Sequence, residues 1–267
     1  MSGEPALACS DASLASGEPL AGTAAEARYF AAVSWPKTLW HHDKVALSEG
    51  LPERLRMLER SARTSGQTLQ LRLFQRPGGA TQDRVEVLCA DFLEARTAQF
   101  RDLPAERCGA SIEAFLAGVD VAKPLERPLL LVCTDGKHDL CCGKHGRTLV
   151  SALRADARVD VAEVSHLGGH RLAANCLALP SGHLYGRVTV DDVPALVDAI
   201  LHASVYLPRY RGQSGLSELA QVTEAAALAR LPTRCVRRSF SGIGSCGDLE
   251  PETRERWVLE SVVEKEK

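Results

Sequence analysis

The hydrophobic and polar positions of the chain form two successive blocks of strand-length and helix-length segments. In the first block, three runs have the alternation or apolar composition of β-strands: residues 29–34, 69–75 and 84–89. The turn residues at 77–79 predict that the last two runs pair as a hairpin. After Pro52, apolar residues recur with helical spacing to about residue 65, which predicts a helix. A second, shorter helix is predicted over residues 111–118.

The second block begins after the prolines at 124 and 128 and repeats this order. Strand-like runs cover residues 129–132 and 159–164, and a helix is predicted between them over residues 146–155. Residues 175–179 and 183–188 flank a Pro-Ser-Gly turn and are expected to form a hairpin. Thr189 and Asp192 have the spacing of a capping box, which predicts a helix that extends to about residue 201.

Each block has the order strand, helix, strand, strand, helix, which is the core of a thioredoxin-like sheet. The sequence therefore predicts an α/β fold with two thioredoxin-like halves, residues 1–122 and 123–231. The first half is expected to begin with a flexible, loop-like segment of about 25 residues. A helix over residues 217–231 closes the second half, and residues 232–267 are expected to form a C-terminal tail.

The charge balance of the 267 residues restricts the partners of the protein. The net charge is −2, so no basic surplus indicates nucleic acid or an anionic membrane. No apolar run approaches the roughly 18 residues of a transmembrane helix, and the first residues lack the pattern of a secretory signal. We expect a cytoplasmic protein that binds neither nucleic acid nor membrane.

Nine cysteines change this picture, because an odd number of thiols in a reducing compartment favours metal or redox chemistry over disulfides. Two segments contain the densest sets of soft ligands: residues 133–143 (CTDGKHDLCCG) and residues 165–170 (SHLGGH). Each segment follows a predicted strand. Loops at strand ends are the usual ligand sites of open α/β sheets, so these two loops are the candidate site.

Cys133 and Cys142 are separated by eight residues, a spacing that fits few known arrangements. A structural zinc site prefers two short C-x₂₋₄-C pairs, a thioredoxin-type dithiol needs C-x-x-C, and a Rieske protein needs C-x-H; all three patterns are absent. A loop of this length that contains Gly136 can pass around an iron–sulfur cluster and provide a second thiolate. Cys141 is a competing thiol, but the glycine that follows Cys142 favours Cys142.

His166 and His170 are four residues apart, with Gly168 and Gly169 between them. The two glycines disfavour a regular helix and allow both imidazoles to point inward. Two thiolates and two imidazoles would satisfy the four protein bonds of a [2Fe–2S] cluster. Histidine ligands on one iron would raise the reduction potential above the all-cysteine range.

The segments CTDGKHDLCCGKHG, HLGGH and GEPLAGTA (residues 17–24) resemble the sucrase/ferredoxin-like family over about residues 8–230. That family is similar to thioredoxin-like [2Fe–2S] ferredoxins. The resemblance implies a [2Fe–2S] cofactor in the C-terminal half, bound by Cys133, Cys142, His166 and His170. It also implies one-electron transfer with an unidentified reductase or acceptor, so the protein would be a carrier without catalytic residues rather than an enzyme.

Two other functions stay open at this point: a zinc-stabilised binding or scaffold protein with the same four ligands, and a thiol-dependent redox enzyme that uses Cys141 and Cys142. The basic residues near the loops form either a solvated face or a docking rim for an acidic redox partner; they are Lys137, Lys144, Arg147 and Arg171. His138 is expected to be solvated. Cys89 and Cys176 are expected in the core, whereas four thiols have no partner spacing: Cys9, Cys108, Cys235 and Cys246.

Overall fold

The computed structural model describes residues 8–41, 44–64, 69–119, 122–230, 233–246, 248 and 250–261. Its α-helices are α1 (Cys9–Ala15), α2 (Glu53–Thr64), α3 (Cys108–Leu116), α4 (Leu140–Arg154), α5 (Val193–Leu201) and α6 (Glu218–Ala229). Its strands are β1 (Tyr29–Ser34), β2 (Leu69–Gln75), β3 (Arg84–Asp91), β4 (Arg96–Pro104), β5 (Leu129–Cys133), β6 (Asp160–Val164), β7 (Cys176–Leu179), β8 (His183–Tyr185), β9 (Tyr210–Gln213), β10 (Thr233–Gly242) and β11 (Glu252–Ser261).

Strands β1 to β9 form one mixed sheet in the order β4-β3-β1-β2-β6-β5-β7-β8-β9. In the first part, β1 is parallel to β2 and antiparallel to β3; in the second, β5 is parallel to β6 and antiparallel to β7. The two parts join where β2 and β6 pair antiparallel at Phe74–Val164 and Gln75–Glu163. The α/β fold class is therefore confirmed. Among the described helices, none combines the length and hydropathy needed to cross a bilayer.

The predicted hairpin between β2 and β3 is wrong, because β1 lies between these strands. Nearly every residue of β1 is buried, so both edges of this strand need a hydrogen-bonded neighbour. The Pro-Gly-Gly turn after β2 therefore begins a connection that passes β1 instead of a tight hairpin. The hairpin forms one strand later, between β3 and β4, and β4 has no counterpart in the sequence prediction.

The second block follows its prediction more closely. Strands β7 and β8 pair antiparallel as expected, and the capping box of Thr189 and Asp192 is present, although one turn of 3₁₀ helix precedes α5. Helix α4 begins six residues earlier than predicted, at Leu140. Asp139 caps this helix by accepting a hydrogen bond from the backbone N–H of Cys141 at 2.8 Å. Cys141 and Cys142 consequently lie in the first helical turn rather than in a loop.

Both ends of the described chain have more structure than the sequence predicted. The segment expected to be loop-like contains α1, which packs against the helical turn His170–Leu172 and buries Cys9 and Ser13. The predicted tail contains an antiparallel ribbon of β10 and β11. This ribbon packs against α6, where Glu218 accepts a hydrogen bond from the backbone N–H of Trp257. Neither segment contains a continuous apolar run, because small residues form most of α1 and polar or charged residues form most of the ribbon.

Two glycines of α4 bring this helix unusually close to β5 and the loop that follows it. A Cβ atom on Gly146 would lie 1.9 Å from the carbonyl oxygen of Cys133. A Cβ atom on Gly143 would lie 2.7 Å from the Cα atom of Gly136. Only glycine permits both approaches, and they place the first turn of α4 directly against the end of β5.

We expect Gly146→Ala to lower the free energy of unfolding by about 1–3 kcal/mol, because overpacking against a backbone carbonyl forces the helix away from β5. This loss outweighs the roughly 1 kcal/mol by which alanine favours a helix interior. Urea unfolding measures the difference. Ser151→Ala, at an exposed position of the same helix, is the control. Equal midpoints for the two variants would show that α4 does not pack this closely.

Candidate metal centre

The two predicted ligand loops lie at the same edge of the sheet. Cys133 is the last residue of β5 and pairs in register with Val164, the last residue of the parallel strand β6. Parallel strands end at a common edge, so the loop after Cys133 and the loop that contains His166 are neighbours. Helix α4 then returns Cys142 to this edge.

Cys133, Cys142 and His166 form one group, in which the candidate ligand atoms lie within 4.8 Å of one another. Both cysteines are buried, and Cys142 Sγ lies 3.9 Å from His166 Nδ1. A hydrogen bond from Cys142 lowers the pKa of the Cys133 thiol well below its usual range, and His166 lowers it further. The same bond raises the pKa of Cys142, so the two thiols titrate as a coupled pair.

His170 belongs to a second group that shares His166 with the first and also includes His138. Its Nε2 atom donates to the backbone carbonyl of Gly244, which lies in the turn of the C-terminal ribbon. A carbonyl only accepts, so Nε2 carries the ring proton and Nδ1 of the neutral ring has the free lone pair. That Nδ1 atom is buried and makes no hydrogen bond within the described residues. The ring therefore has the tautomer that a metal ligand requires.

His138 is the residue that sequence reasoning missed. It was expected to be solvated, but its ring stacks on that of His166 with centroids 3.8 Å apart and is half-buried. Its ring centroid is 5.5 Å from that of His170. The available signal was its position five residues after Cys133, inside the predicted ligand loop.

A buried arginine holds the loop that contains His166 and His170. Arg211 Nη1 donates to the carbonyl of Gly168 at 3.0 Å and to Asn175 Oδ1 at 2.8 Å, and Asn175 donates to the carbonyl of Gly169 at 2.9 Å. Both glycines have positive φ, and a Cβ on Gly169 would lie 2.6 Å from Arg211 Nη2. The close approach of the guanidinium therefore requires glycine at position 169, and the positive φ favours glycine at position 168.

The segment GEPLAGTA contacts the same loop from the other side. Glu18 accepts hydrogen bonds from Arg171 at 2.6–2.9 Å, and Thr23 accepts from Arg211 at 3.0 Å. The Glu18 side chain is 1% exposed and that of Arg171 is 11% exposed. Arg171 is consequently absent from the predicted basic rim, since its charge is paired inside the protein. Lys137, another member, donates to the carbonyls of Thr38 and Trp40, whereas Lys144 and Arg147 are exposed on α4.

Of the remaining cysteines, Cys89, Cys108 and Cys176 are core residues, three form a further group, and Cys235 is a half-buried residue of β10 outside both sets. Cys89 and Cys176 are buried in strands as expected, and burial raises the pKa of each thiol to about 12. Cys141 does not join Cys142. Its side chain meets those of Cys9 and Cys246, which come from the two ends of the described chain.

We expect Glu18→Gln to lower the free energy of unfolding at neutral pH by about 3 kcal/mol, because it leaves a buried guanidinium without its counter-charge. Burial raises the pKa of the Glu18 carboxyl, but the hydrogen bonds and charge of Arg171 lower it below its ordinary value of 4.5. The pair therefore stabilises the protein fully above pH 4.5, and its contribution disappears as the pH falls through the lowered pKa.

Urea unfolding of wild type and variant across this pH range tests the expectation. The difference between the two should narrow on acidification. Glu113→Gln, which breaks an exposed pair with Arg54, is the control and should have a much smaller effect. If the difference in free energy of unfolding between wild type and Glu18→Gln increases at acidic pH, the ion pair between Glu18 and Arg171 does not stabilise the protein as described.

Curated proteins are similar in sequence to about a third of this chain. It is 36% identical over 106 residues to altered inheritance of mitochondria protein 32 of Eremothecium gossypii, covering 34% of each chain. It is 34% identical over 98 residues to the protein of that name in Debaryomyces hansenii, covering 33% of this chain and 36% of the other. The matched segments therefore span about a third of these curated relatives.

Among solved structures, a thioredoxin-like [2Fe–2S] ferredoxin from Aquifex aeolicus aligns with 32% of this chain and 91% of its own, at 16% identity and a TM-score of 0.28. The sequence profile of the sucrase/ferredoxin-like family matches residues 20–212. This range contains both ligand loops and most of the GEPLAGTA segment. The chain belongs to the sucrase/ferredoxin-like family.

Proposed function

We propose that this protein is a one-electron carrier that holds a [2Fe–2S] cluster between Cys133, Cys142, His166 and His170. The observation that carries the proposal is the donor set itself. Two buried thiols lie beside His166, and the pKa of one of them, Cys133, is lowered by its neighbours. A second imidazole, that of His170, presents a buried lone pair with no hydrogen-bond donor among the described residues. Thiolate and neutral imidazole are the ligands that iron–sulfur centres of mixed type use.

The residues present fit such a group in three respects. Cys142 lies in the first turn of α4, where the positive end of the helix dipole would stabilise the thiolate that forms when a metal displaces the thiol proton. The hydrogen bond from His170 to Gly244 fixes the orientation of one imidazole, as outer partners of metal ligands commonly do. Arg211 and Asn175 hold the loop carbonyls in place, so that the ligands need little rearrangement on binding.

When bound, the cluster would exchange one electron with a partner. The protein's own residues exclude water from the thiol side, where Cys133 and Cys142 are 1% exposed. The three histidine rings are half-buried and form the side nearest to solvent. We propose that a reductase or acceptor docks on this side, next to the exposed cations of Lys144 and Arg147. An acidic partner surface would match these charges.

We also propose that the chain consists of two thioredoxin-like halves and that the second half binds the cluster. The equivalent strand orders β4-β3-β1-β2 and β8-β7-β5-β6 support this division. In the first half, the position equivalent to Cys133 is Ser34, at the end of β1. Without thiols there, the first half would provide structure rather than ligands. Cytoplasmic localisation stays a prediction.

We expect the purified protein to be red-brown and Cys133→Ser or Cys142→Ser to lose its visible absorption, because each variant removes a thiolate ligand. Cys141→Ser should keep the absorption, since Cys141 is directed toward Cys9 and Cys246. Visible spectra and iron content of the three variants decide this.

Loss of visible absorption in Cys141→Ser but not in Cys142→Ser would show that Cys141, and not Cys142, is the ligand. A colourless wild-type protein that contains zinc bound through Cys133 and Cys142 would favour the alternative of a zinc-stabilised binding protein. A colourless protein without metal, but with thiol-exchange activity, would favour the redox enzyme.

We expect His166→Cys to retain a cluster with a lower reduction potential, because a thiolate adds negative charge beside the iron and disfavours the incoming electron. Redox titration monitored by electron paramagnetic resonance measures the shift. The matched variant is His138→Cys at the ring that stacks on His166. If His138→Cys shifts the potential and His166→Cys does not, then His138 is the ligand in its place.

A further inference from the structure

A second group of potential ligands lies on the opposite side of the α4 N-terminus. The Sγ atoms of Cys9, Cys141 and Cys246 form a triangle with sides of 3.6, 3.2 and 3.5 Å. The carboxylate of Asp139 completes the group, with Oδ1 3.6 Å from the sulfur of Cys9 and 3.4 Å from that of Cys246. All four donors lie within 4.8 Å of one another.

These separations match a tetrahedral zinc site. With Zn–S bonds of about 2.3 Å and a Zn–O bond of about 2.0 Å, ideal tetrahedral edges are about 3.8 Å between sulfurs and about 3.5 Å between sulfur and oxygen. The two sulfur–oxygen distances, 3.6 and 3.4 Å, lie within about 0.1 Å of the ideal edge. The three sulfur–sulfur distances, 3.6, 3.5 and 3.2 Å, are all shorter than the ideal edge, most of all between Cys141 and Cys246. A small outward movement of the sulfurs would complete the geometry.

The carboxylate is positioned as a ligand and not as a partner of a cation. Asp139 is 4% exposed and forms no salt bridge within the described part of the chain. Its oxygens accept from the backbone N–H of Cys141 and Cys246 and from the hydroxyl of Ser245, at 2.8–3.1 Å. A buried carboxylate among three thiols forms an anionic pocket, which a divalent cation would neutralise.

We propose that Cys9, Asp139, Cys141 and Cys246 bind one structural Zn²⁺ ion. Binding would displace the thiol protons to solvent and form three Zn–S bonds and one Zn–O bond, with no change of oxidation state. A disulfide explains the group less well, since it would join two sulfurs and leave the third, equally close one without a partner. With four protein ligands the site is closed, as structural zinc sites are.

The zinc would join three separate parts of the fold. Cys9 lies in α1, Cys141 in α4, and Cys246 in the turn between β10 and β11. This turn also contributes the Gly244 carbonyl that orients His170. The proposed ion would therefore stabilise the turn that orients one ligand of the first centre, although the two centres share no ligand.

The test measures zinc and iron in the full chain, expressed with both metals supplied, together with visible absorption and zinc K-edge X-ray absorption. We expect one zinc ion per chain with a first shell of three sulfurs and one oxygen. Cys246→Ser and Cys9→Ser should each lose most of the zinc but keep the visible absorption. Cys235→Ser, in β10 and outside both groups, is the matched control and should keep both metals.

The design separates this inference from the proposed electron carrier, because Cys133→Ser should lose iron and keep zinc. A colourless protein whose zinc depends on Cys246 would support the second site and contradict the first. Circular dichroism checks that each variant is folded, and titration of the metal-free chain with ZnCl₂ provides a second readout. The inference is overturned if folded wild type takes up no zinc, if Cys246→Ser retains it, or if peptide mapping finds a disulfide between Cys141 and Cys246.

Discussion

The guanidinium of Arg211 is buried in the protein, and much of the candidate site depends on how it is satisfied. Burial lowers its pKa to about 9, which leaves it charged at neutral pH. A buried charge is tolerated only when it is hydrogen-bonded. The guanidinium of Arg211 donates to the carbonyl of Gly168, to the side-chain oxygen of Asn175, and to both the hydroxyl and the carbonyl of Thr23. One side chain of β9 thus connects the GEPLAGTA segment, the glycine loop and the start of β7.

The glycines of the two ligand loops have different roles. Gly168 and Gly169 adopt positive φ, and Gly169 also gives room to the guanidinium, so the two residues shape the loop that contains the histidines. Gly143 and Gly146 lie in a regular helix, and their lack of a side chain determines how close Cys142 comes to Cys133. The first pair permits a backbone conformation that other residues rarely adopt, and the second pair permits close packing of α4 against β5. Together they bring donors from two separate loops to one point without a short sequence motif.

Sequence reasoning succeeded for elements that form through local interactions or that contain a continuous or alternating run of apolar residues. Strands β1 and β2 and the Thr189 capping box have their predicted positions for this reason. Sequence reasoning failed for the pairing of β2 with β3, because burial of both faces of β1 places this strand between them. The early start of α4 was missed because Cys-Cys-Gly has no amphipathic pattern. The grouping of Cys9 with Cys246, 237 residues apart, has no spacing signal.

The bond between His170 and Gly244 has a consequence for biosynthesis. Gly244 follows His170 by 74 residues, so the ring acquires its carbonyl acceptor late in translation. At synthesis rates of about 5–20 residues per second, the ribosome needs roughly 4–15 s to cover that interval. During this time the nascent chain already contains Cys133, Cys142 and His166, but it lacks the Gly244 carbonyl that accepts the His170 ring proton in the folded protein. The hydrogen bond that fixes the orientation of His170 can therefore form only after the ribbon turn has been made and has docked.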